Sequence, residues 1–194
     1  QYGQFAEYVN SIAAIIENAK MTPMAFNDGI YYDETTVNDN KQVTFDKNIV
    51  ICYWTSGYPN QTKKYSPASA SFLAKNHKII STNDAWYYVL GRASGTYGLN
   101  NTRNNVQTTK VTSIPGDNNA TTPIGAMMCL WCDDPSAGYS TAEQSNVRYL
   151  IQTLAASNPT YFTKSTTTDP GTDTGEKRTI EISVGETKTV TING

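Results

Sequence analysis

The sequence predicts an α/β fold built on a parallel sheet, and three observations carry that prediction. Four apolar, β-rich runs recur between residues 22 and 134, each nearly continuous rather than alternating, as strands covered on both faces are. Stretches with helical spacing of apolar residues precede, separate and follow them. Each run also closes on aromatics, with carboxylates beside most of them: Phe26 and Asp28, Trp54, Asp84 with Trp86 and Tyr87, and Trp131 with Asp133. Parallel strands present their C-terminal ends on one face, where sites are built. Four strands are too few to close an eight-stranded barrel; they make half of one.

The elements follow in order. Phe5, Tyr8, Val9, Ile12, Ile15, Ile16 and Ala19 fall at helical spacings, so residues 4–19 predict an amphipathic helix ending near Lys20. TPMAFNDGIYY reads as a short buried strand entering the polar loop YYDETTVNDN. NIVICYWTSG, 48–57, is a strand closed by a turn signal. SPASASFLAKN, 66–76, predicts a helix with Ser66 as N-cap and Pro67 at its first position. HKIISTNDAWYYVLG, 77–91, is a third strand with a polar and aromatic end. The Gly, Asn and Thr-rich segment 91–122 reads as a long connection, and PIGAMMCLWCDD as one continuous fourth strand. The closing helix, 141–156, takes Thr141 as N-cap and turns Val147, Leu150, Ile151 and Leu154 inward.

After Pro159 the character changes. Residues 161–178 form a Thr, Asp and Gly-rich linker. Residues 179–194 alternate apolar and polar around a Gly-Glu turn, as the opening strands of a β-sandwich module do. A lone hairpin is unstable in water, so this tail is expected to be loosely attached. The N-terminus QYGQFAEYVN has no Met, basic start or apolar stretch, so the chain is expected to begin inside a longer protein.

Composition excludes several functions. Lys plus Arg number 15 against 17 for Asp plus Glu, with no basic run to hold a phosphate backbone, so nucleic acid is not expected as a partner. No run approaches the roughly 18 apolar residues of a membrane span. Charged residues are 16% of the chain, and 13 Tyr with abundant Asn, Thr and Ser take their place, which suits neutral, hydroxyl-rich ligands. Cys129 and Cys132 form a CxxC, but there is no second pair and His77 is the only histidine. Strand alternation would turn the two thiols to opposite faces, so apolar filling is expected and no metal. No Gly-rich phosphate loop follows a strand, and no cofactor is expected.

The strand-end residues carry the candidate chemistry. Pyranose rings offer C–H faces that stack on indole, and their hydroxyls need carboxylate and amide partners. A sugar-binding wall therefore needs both residue types side by side. Each residue also has a plainer reading: a strand-end Trp packs the core or rim, and an Asp there caps a helix or turn. Asp134, directly before Pro135, reads as a turn residue.

TPMAFNDGIYY, IVICYWTSG, HKIISTNDAWYYVLG and IGAMMCLWCDDPS, in that order and spacing, resemble the second half of a glycoside hydrolase family 20 domain. That family contains β-N-acetylhexosaminidases and lacto-N-biosidases, and the likeness covers roughly residues 1–160. It implies a (β/α)8 TIM barrel of which this chain supplies strands five to eight, joined to an N-terminal half elsewhere. It also implies substrate-assisted retaining hydrolysis through an oxazolinium intermediate, an exception to the two-carboxylate scheme. The substrate it implies is a glycan bearing terminal β-N-acetylhexosamine, and the setting a secreted or cell-surface bacterial one. Carried over, Trp54 and Trp131 line the acetamide and ring pocket, and Tyr87 supplies a catalytic hydroxyl, with Tyr88 or Trp86 one register away. Asp133 accepts from outer hydroxyls of the sugar, while Phe26, where the family often has Trp, Asp28 and Asp84 complete the wall.

One departure matters. The family's His-x-Gly-x-Asp-Glu motif is absent, and the only Asp-Glu, Asp33-Glu34, lies in a polar loop. The acid pair is therefore expected upstream, and the chain alone is expected to be inactive. Two other readings stay open: a carbohydrate-binding domain without chemistry, and a different α/β-barrel glycosidase. The sequons at Asn60, Asn100 and Asn119 would matter only in a eukaryotic secretory pathway.

Overall fold

The computed structural model describes residues 1–38, 41–57, 66–118, 120–133 and 140–161, with two short strands at 179–180 and 188–189. Residues 1–162 and 163–194 form two compact units.

Helix α1 spans Tyr2–Asn18 and ends in a Schellman turn: Met21 N–H donates to Ile16 O at 3.1 Å and Lys20 N–H to Glu17 O at 2.8 Å. Lys20 takes the left-handed conformation there, φ 63°, where glycine is usual. Ala6 and Ala13 are the buried residues of α1, two small side chains that let the helix lie close to its neighbours. Asn10 ties it further, donating to Thr44 O and accepting from Asp46 N–H, both at 2.8 Å. The expected apolar face is only partly covered, since Phe5, Tyr8, Ile12 and Ile15 are all exposed.

The sheet is parallel. Strand β1 (Met24–Phe26) opens it, and β2 (Val37–Asn38) and β3 (Lys41–Gln42) form a small antiparallel hairpin in the following loop. β4 (Val50–Tyr53) pairs with β1, pairing Phe26 with Cys52. β5 (Ile79–Ser81) pairs with β4, and β7 (Gly125–Ala126) with β5, giving the order β1-β4-β5-β7. All four residues of β4 are buried, as a strand covered on both faces must be. Beyond this sheet, β6 (Tyr88–Val89) pairs in parallel with β8 (Leu130–Trp131). The α/β fold with a parallel sheet is as expected.

Local details differ from the sequence reading. The predicted helix at 66–76 shrinks to one turn, α2 (Ala70–Leu73), capped by Ser69 rather than Ser66. Ser69 Oγ accepts from Phe72 N–H and also bonds the Glu34 carboxylate, while Pro67 is drawn into a bridge with Tyr32. The segment 91–122 contains a ten-residue helix, α3 (Leu99–Thr108), although only Thr102 and Val106 are buried on it. Two tertiary bonds hold this weak helix former: Thr102 Oγ1 donates to Tyr87 O at 2.6 Å and Asn105 Nδ2 to Ala85 O at 3.0 Å. The expected fourth strand is broken into β7 and β8, which join different partners. Cys129 is buried and Cys132 exposed. Helix α4 (Thr141–Ala156) is capped one residue earlier than expected, by Ser140, whose Oγ accepts from Glu143 N–H at 3.2 Å.

Two cores result. One gathers Ile51, Tyr53, Leu73 and Ile79 with Tyr31, Phe45 and the small faces of α1 and α2. The other joins Trp86 and Tyr88 to Val106, Val111, Val147, Leu150 and Leu154. In the second unit, β9 (Thr179–Ile180) pairs antiparallel with β10 (Lys188–Thr189). Asp134, Asn60, Asn119 and the linker 163–178 lie outside the described residues.

Candidate active site

The strand ends are joined by Asn27, whose side chain is fully buried just past β1. Its Oδ1 accepts from Trp54 N–H at 2.9 Å and its Nδ2 donates to Thr55 O at 2.6 Å, so the ends of β1 and β4 cannot slide apart. This fixes the backbone of Trp54. Asp28 then fixes the indole, accepting from Trp54 Nε1–H at 2.7 Å.

Trp54 lies parallel to Tyr87, ring centroids 5.9 Å apart at 14°, the offset stacking that ring quadrupoles favour. Trp131 is tilted against the same Tyr87 ring at 5.7 Å and meets Phe26 at 6.3 Å. Together with Asp28 and Asp133 these side chains line a cleft of about 420 Å³, within the size range of small-ligand sites. The lining is mostly aromatic, with carboxylates set among the rings.

Tyr87 is the least ordinary of these residues. Its ring lines the cleft, yet its hydroxyl is buried and makes no hydrogen bond of normal geometry among the described residues. Thr82 Oγ1, itself without a partner, and the Cys129 thiol are its polar neighbours. Burial first, and then the nearby thiol, push the phenol above its ordinary value, so it stays a protonated donor. A buried unpaired hydroxyl costs on the order of 1–3 kcal/mol.

Trp86 does not reach the cleft. It is fully buried in the second core, its Nε1–H donating to Thr109 O at 3.2 Å, because the 3-10 turn Asp84–Trp86 rolls its side chain under α3. Tyr88, the other register alternative, turns away from Tyr87 as strand neighbours do, and its hydroxyl bonds Glu143 at 2.5 Å. Asp84 stands behind the wall. Burial raises its carboxyl above the usual value, opposed in part by the Tyr97 hydroxyl, which donates to Oδ2 at 3.2 Å.

Three lining residues escaped the sequence reading: Val89, Arg92 and Tyr97. Tyr97 packs on Tyr87 at 5.5 Å, and Arg92 Nη2 pairs with Asp133 Oδ2 at 3.1 Å. Val89 follows Tyr87 by two residues on β6, a same-face signal that was available. Arg92 and Tyr97 lie in a Gly-rich turn with no periodicity to read. Asp33 and Glu34 border a different depression with Ser66 and Ser69. Among the described residues no group of His, Cys, Asp and Glu could hold a metal ion.

No protein-family model matches the sequence. Among solved structures the chain is similar to the pneumococcal virulence factor StrH, in a study of N-glycan recognition and hydrolysis, at 36% identity and TM-score 0.71, covering 83% of this chain and 38% of that one. A structure of the tandem GH20 catalytic modules of the pneumococcal exo-β-D-N-acetylglucosaminidase StrH matches at 36% identity and TM-score 0.71, covering 83% and 37%. Dispersin B shares the fold at 20% identity and TM-score 0.60, covering 81% of this chain and 48% of that one. The chain thus spans 38% of the length of the StrH structure it matches. The parallel sheet, the cleft at its strand ends and the likeness to GH20 modules over 83% of the chain make this protein part of a glycoside hydrolase family 20 domain.

Proposed function

We propose that the protein acts as a retaining glycosidase on terminal β-linked N-acetylhexosaminides, with the sugar's own acetamide oxygen as nucleophile. Trp54 and Trp131 flank the ring and the acetamide. The Tyr87 hydroxyl donates to the acetamide carbonyl, orienting it toward the anomeric carbon and stabilising charge as the oxazolinium forms. Asp28 sets the plane of Trp54, and Asp133 accepts from outer hydroxyls of the sugar. The observation that carries this reading is Tyr87, whose ring packs on both indoles in the cleft and whose buried hydroxyl makes no hydrogen bond of normal geometry among the described residues.

The cleft's carboxylates are otherwise engaged, Asp28 by Trp54 and Asp133 by Arg92. The acid that protonates the leaving oxygen is therefore assigned to an Asp-Glu pair on the other half of a (β/α)8 barrel. Exposed apolar side chains support that partner: Met24 and Phe26 on β1, Phe5, Tyr8 and Ile15 on α1, and Ile124, Met127 and Leu130 on the opposite flank. A bacterial, secreted or surface setting suits such a substrate, and no described helix is long and apolar enough to cross a membrane.

The full-length protein should release nitrophenol from p-nitrophenyl β-N-acetylglucosaminide and leave the β-glucoside intact, while residues 1–194 alone should hydrolyse neither. Equal turnover of both sugars would remove the acetamide from the mechanism. Binding without turnover would leave a carbohydrate-binding domain.

A further inference from the structure

Arg92 stands at the cleft mouth on a turn that is closed from several sides. Its own N–H donates to Val89 O at 3.0 Å, its carbonyl accepts from Leu99 N–H at 2.8 Å, and Val89 N–H donates to Tyr97 O at 2.9 Å. The turn is thus rooted on β6 and on the first turn of α3. The guanidinium is held as well: Nη1 donates to Thr96 O at 2.9 Å and Nη2 to Asp133 Oδ2 at 3.1 Å. Both side chains remain accessible, 42% for Arg92 and 61% for Asp133, and both line the cleft beside Trp131.

The pair has unused capacity. A guanidinium carries five N–H donors in a planar fork, and a carboxylate accepts at both oxygens. Among the described residues, Asp133 bonds only Arg92, through one oxygen, and the Arg92 side chain makes only the two bonds above. An exposed ion pair contributes little to stability, so stability does not explain one sited on the wall of a cleft. What the pair offers a ligand is an acceptor and donors side by side, with no net charge. A vicinal diol presents the complement: one hydroxyl donates to the carboxylate while the neighbouring oxygen accepts from the guanidinium.

We propose that Arg92 is a specificity-determining residue that, with Asp133, reads two adjacent hydroxyls of the terminal sugar. The assignment rests on the N-acetylhexosaminide reading above, and it adds a preference for neutral, fully hydroxylated sugars at those positions. Because Asp133 neutralises the cation, an anionic substituent gains nothing from Arg92 while that pair is intact. Removing the carboxylate should reverse this.

The test uses the full-length protein with Arg92→Met, Arg92→Lys and Asp133→Asn, assayed on p-nitrophenyl β-N-acetylglucosaminide, its 3-deoxy and 4-deoxy analogues and its 3-O- and 4-O-sulfated analogues. Losing hydrogen bonds to a charged group predicts a fall in kcat/KM of about tenfold to a hundredfold for Arg92→Met, partly restored by Lys. That loss should vanish on the deoxy analogue lacking the hydroxyl Arg92 contacts. Asp133→Asn should raise the sulfated-to-neutral ratio of kcat/KM. An equal Arg92→Met penalty on every analogue would make the residue a brace for its turn, and unchanged kinetics beside an active wild type would sink this assignment alone. A wild type inactive on every N-acetylhexosaminide overturns both it and the proposed function.

Discussion

Trp131 and Trp86 both follow apolar strands, and both indoles sit beside a tyrosine, yet one is 40% exposed on the cleft and the other is wholly buried under α3. The same division separates Tyr87 from Tyr88. Tyr87 faces the cleft with its hydroxyl unpaired, whereas the Tyr88 hydroxyl is bonded to Glu143 and its phenol is pushed up to about 12, by burial first and then by that carboxylate. In the second core both Trp86 Nε1 and the Tyr88 hydroxyl find partners. The cleft leaves some of its own open, and a group left open at a cost in stability is one that a ligand can complete.

The largest effect that could break this comparison comes from the tryptophans. Trp86→Ala should cost about 3–5 kcal/mol in a denaturant titration of the full-length protein, as emptied aromatic core sites do. Trp131→Ala should leave the midpoint nearly unchanged and abolish saturable turnover. If the two variants unfolded alike, Trp131 would be a core residue and the cleft no site.

The tyrosines sharpen the contrast at smaller scale. Tyr87→Phe should lower kcat by about a hundredfold or more, the usual effect of removing a preorganised donor, without loss of stability, since its hydroxyl has no partner to lose. Tyr88→Phe should leave kcat in place and cost about 1–3 kcal/mol, because Glu143 Oε2 loses its donor and keeps only the Asn146 bond on its other oxygen. Normal kinetics for Tyr87→Phe would move the acetamide donor elsewhere.

Acid should produce the smallest and most diagnostic effect. In the first core, burial lowers the His77 pKa more than the Ile49 carbonyl and Asp46 raise it, and Nε2 has no partner. The unfolded chain therefore takes up this proton first. Its contribution to stability is complete above the ordinary imidazole value of about 6.5 and is lost as pH falls from there through the folded value. Asp84, behind the cleft, has the opposite sign: its raised folded pKa favours the protonated form, so its burial penalty shrinks as pH falls through that raised value toward the ordinary carboxylate range. Denaturant midpoints between pH 8 and 5 should fall for the wild type and flatten for His77→Gln. An unflattened slope would place the sensitivity in another group.

Much of this was legible in residue order. Continuous apolar runs predicted a parallel sheet, and clusters at their ends predicted that Phe26, Asp28, Trp54, Asp84, Trp86, Tyr87, Trp131 and Asp133 would meet; all but Asp84 and Trp86 line the cleft. The missed residues share a cause. Arg92 and Tyr97 sit on a turn whose shape depends on Gly95 at φ 79° and Tyr97 at φ 61°, and no hydrophobic period announces such a turn. Helix α3 was invisible because its Asn and Thr side chains favour helix only once Tyr87 O and Ala85 O are there to receive them. Ser66 and Ser69 both satisfy the rule for a cap, and only the placement of Glu34 and Tyr32 selects the second.

The order of residues by itself therefore determined the layers, the strand direction and the chemical character of one rim, because burial and pleat act locally and repeat along the chain. Tertiary structure alone decided which of two adjacent tyrosines lines the cleft, which tryptophan is core, and that a cation pairs with Asp133. Those outcomes depend on contacts between positions as far apart as Arg92 and Asp133, or Tyr88 and Glu143, and distance of that kind leaves no period in a sequence.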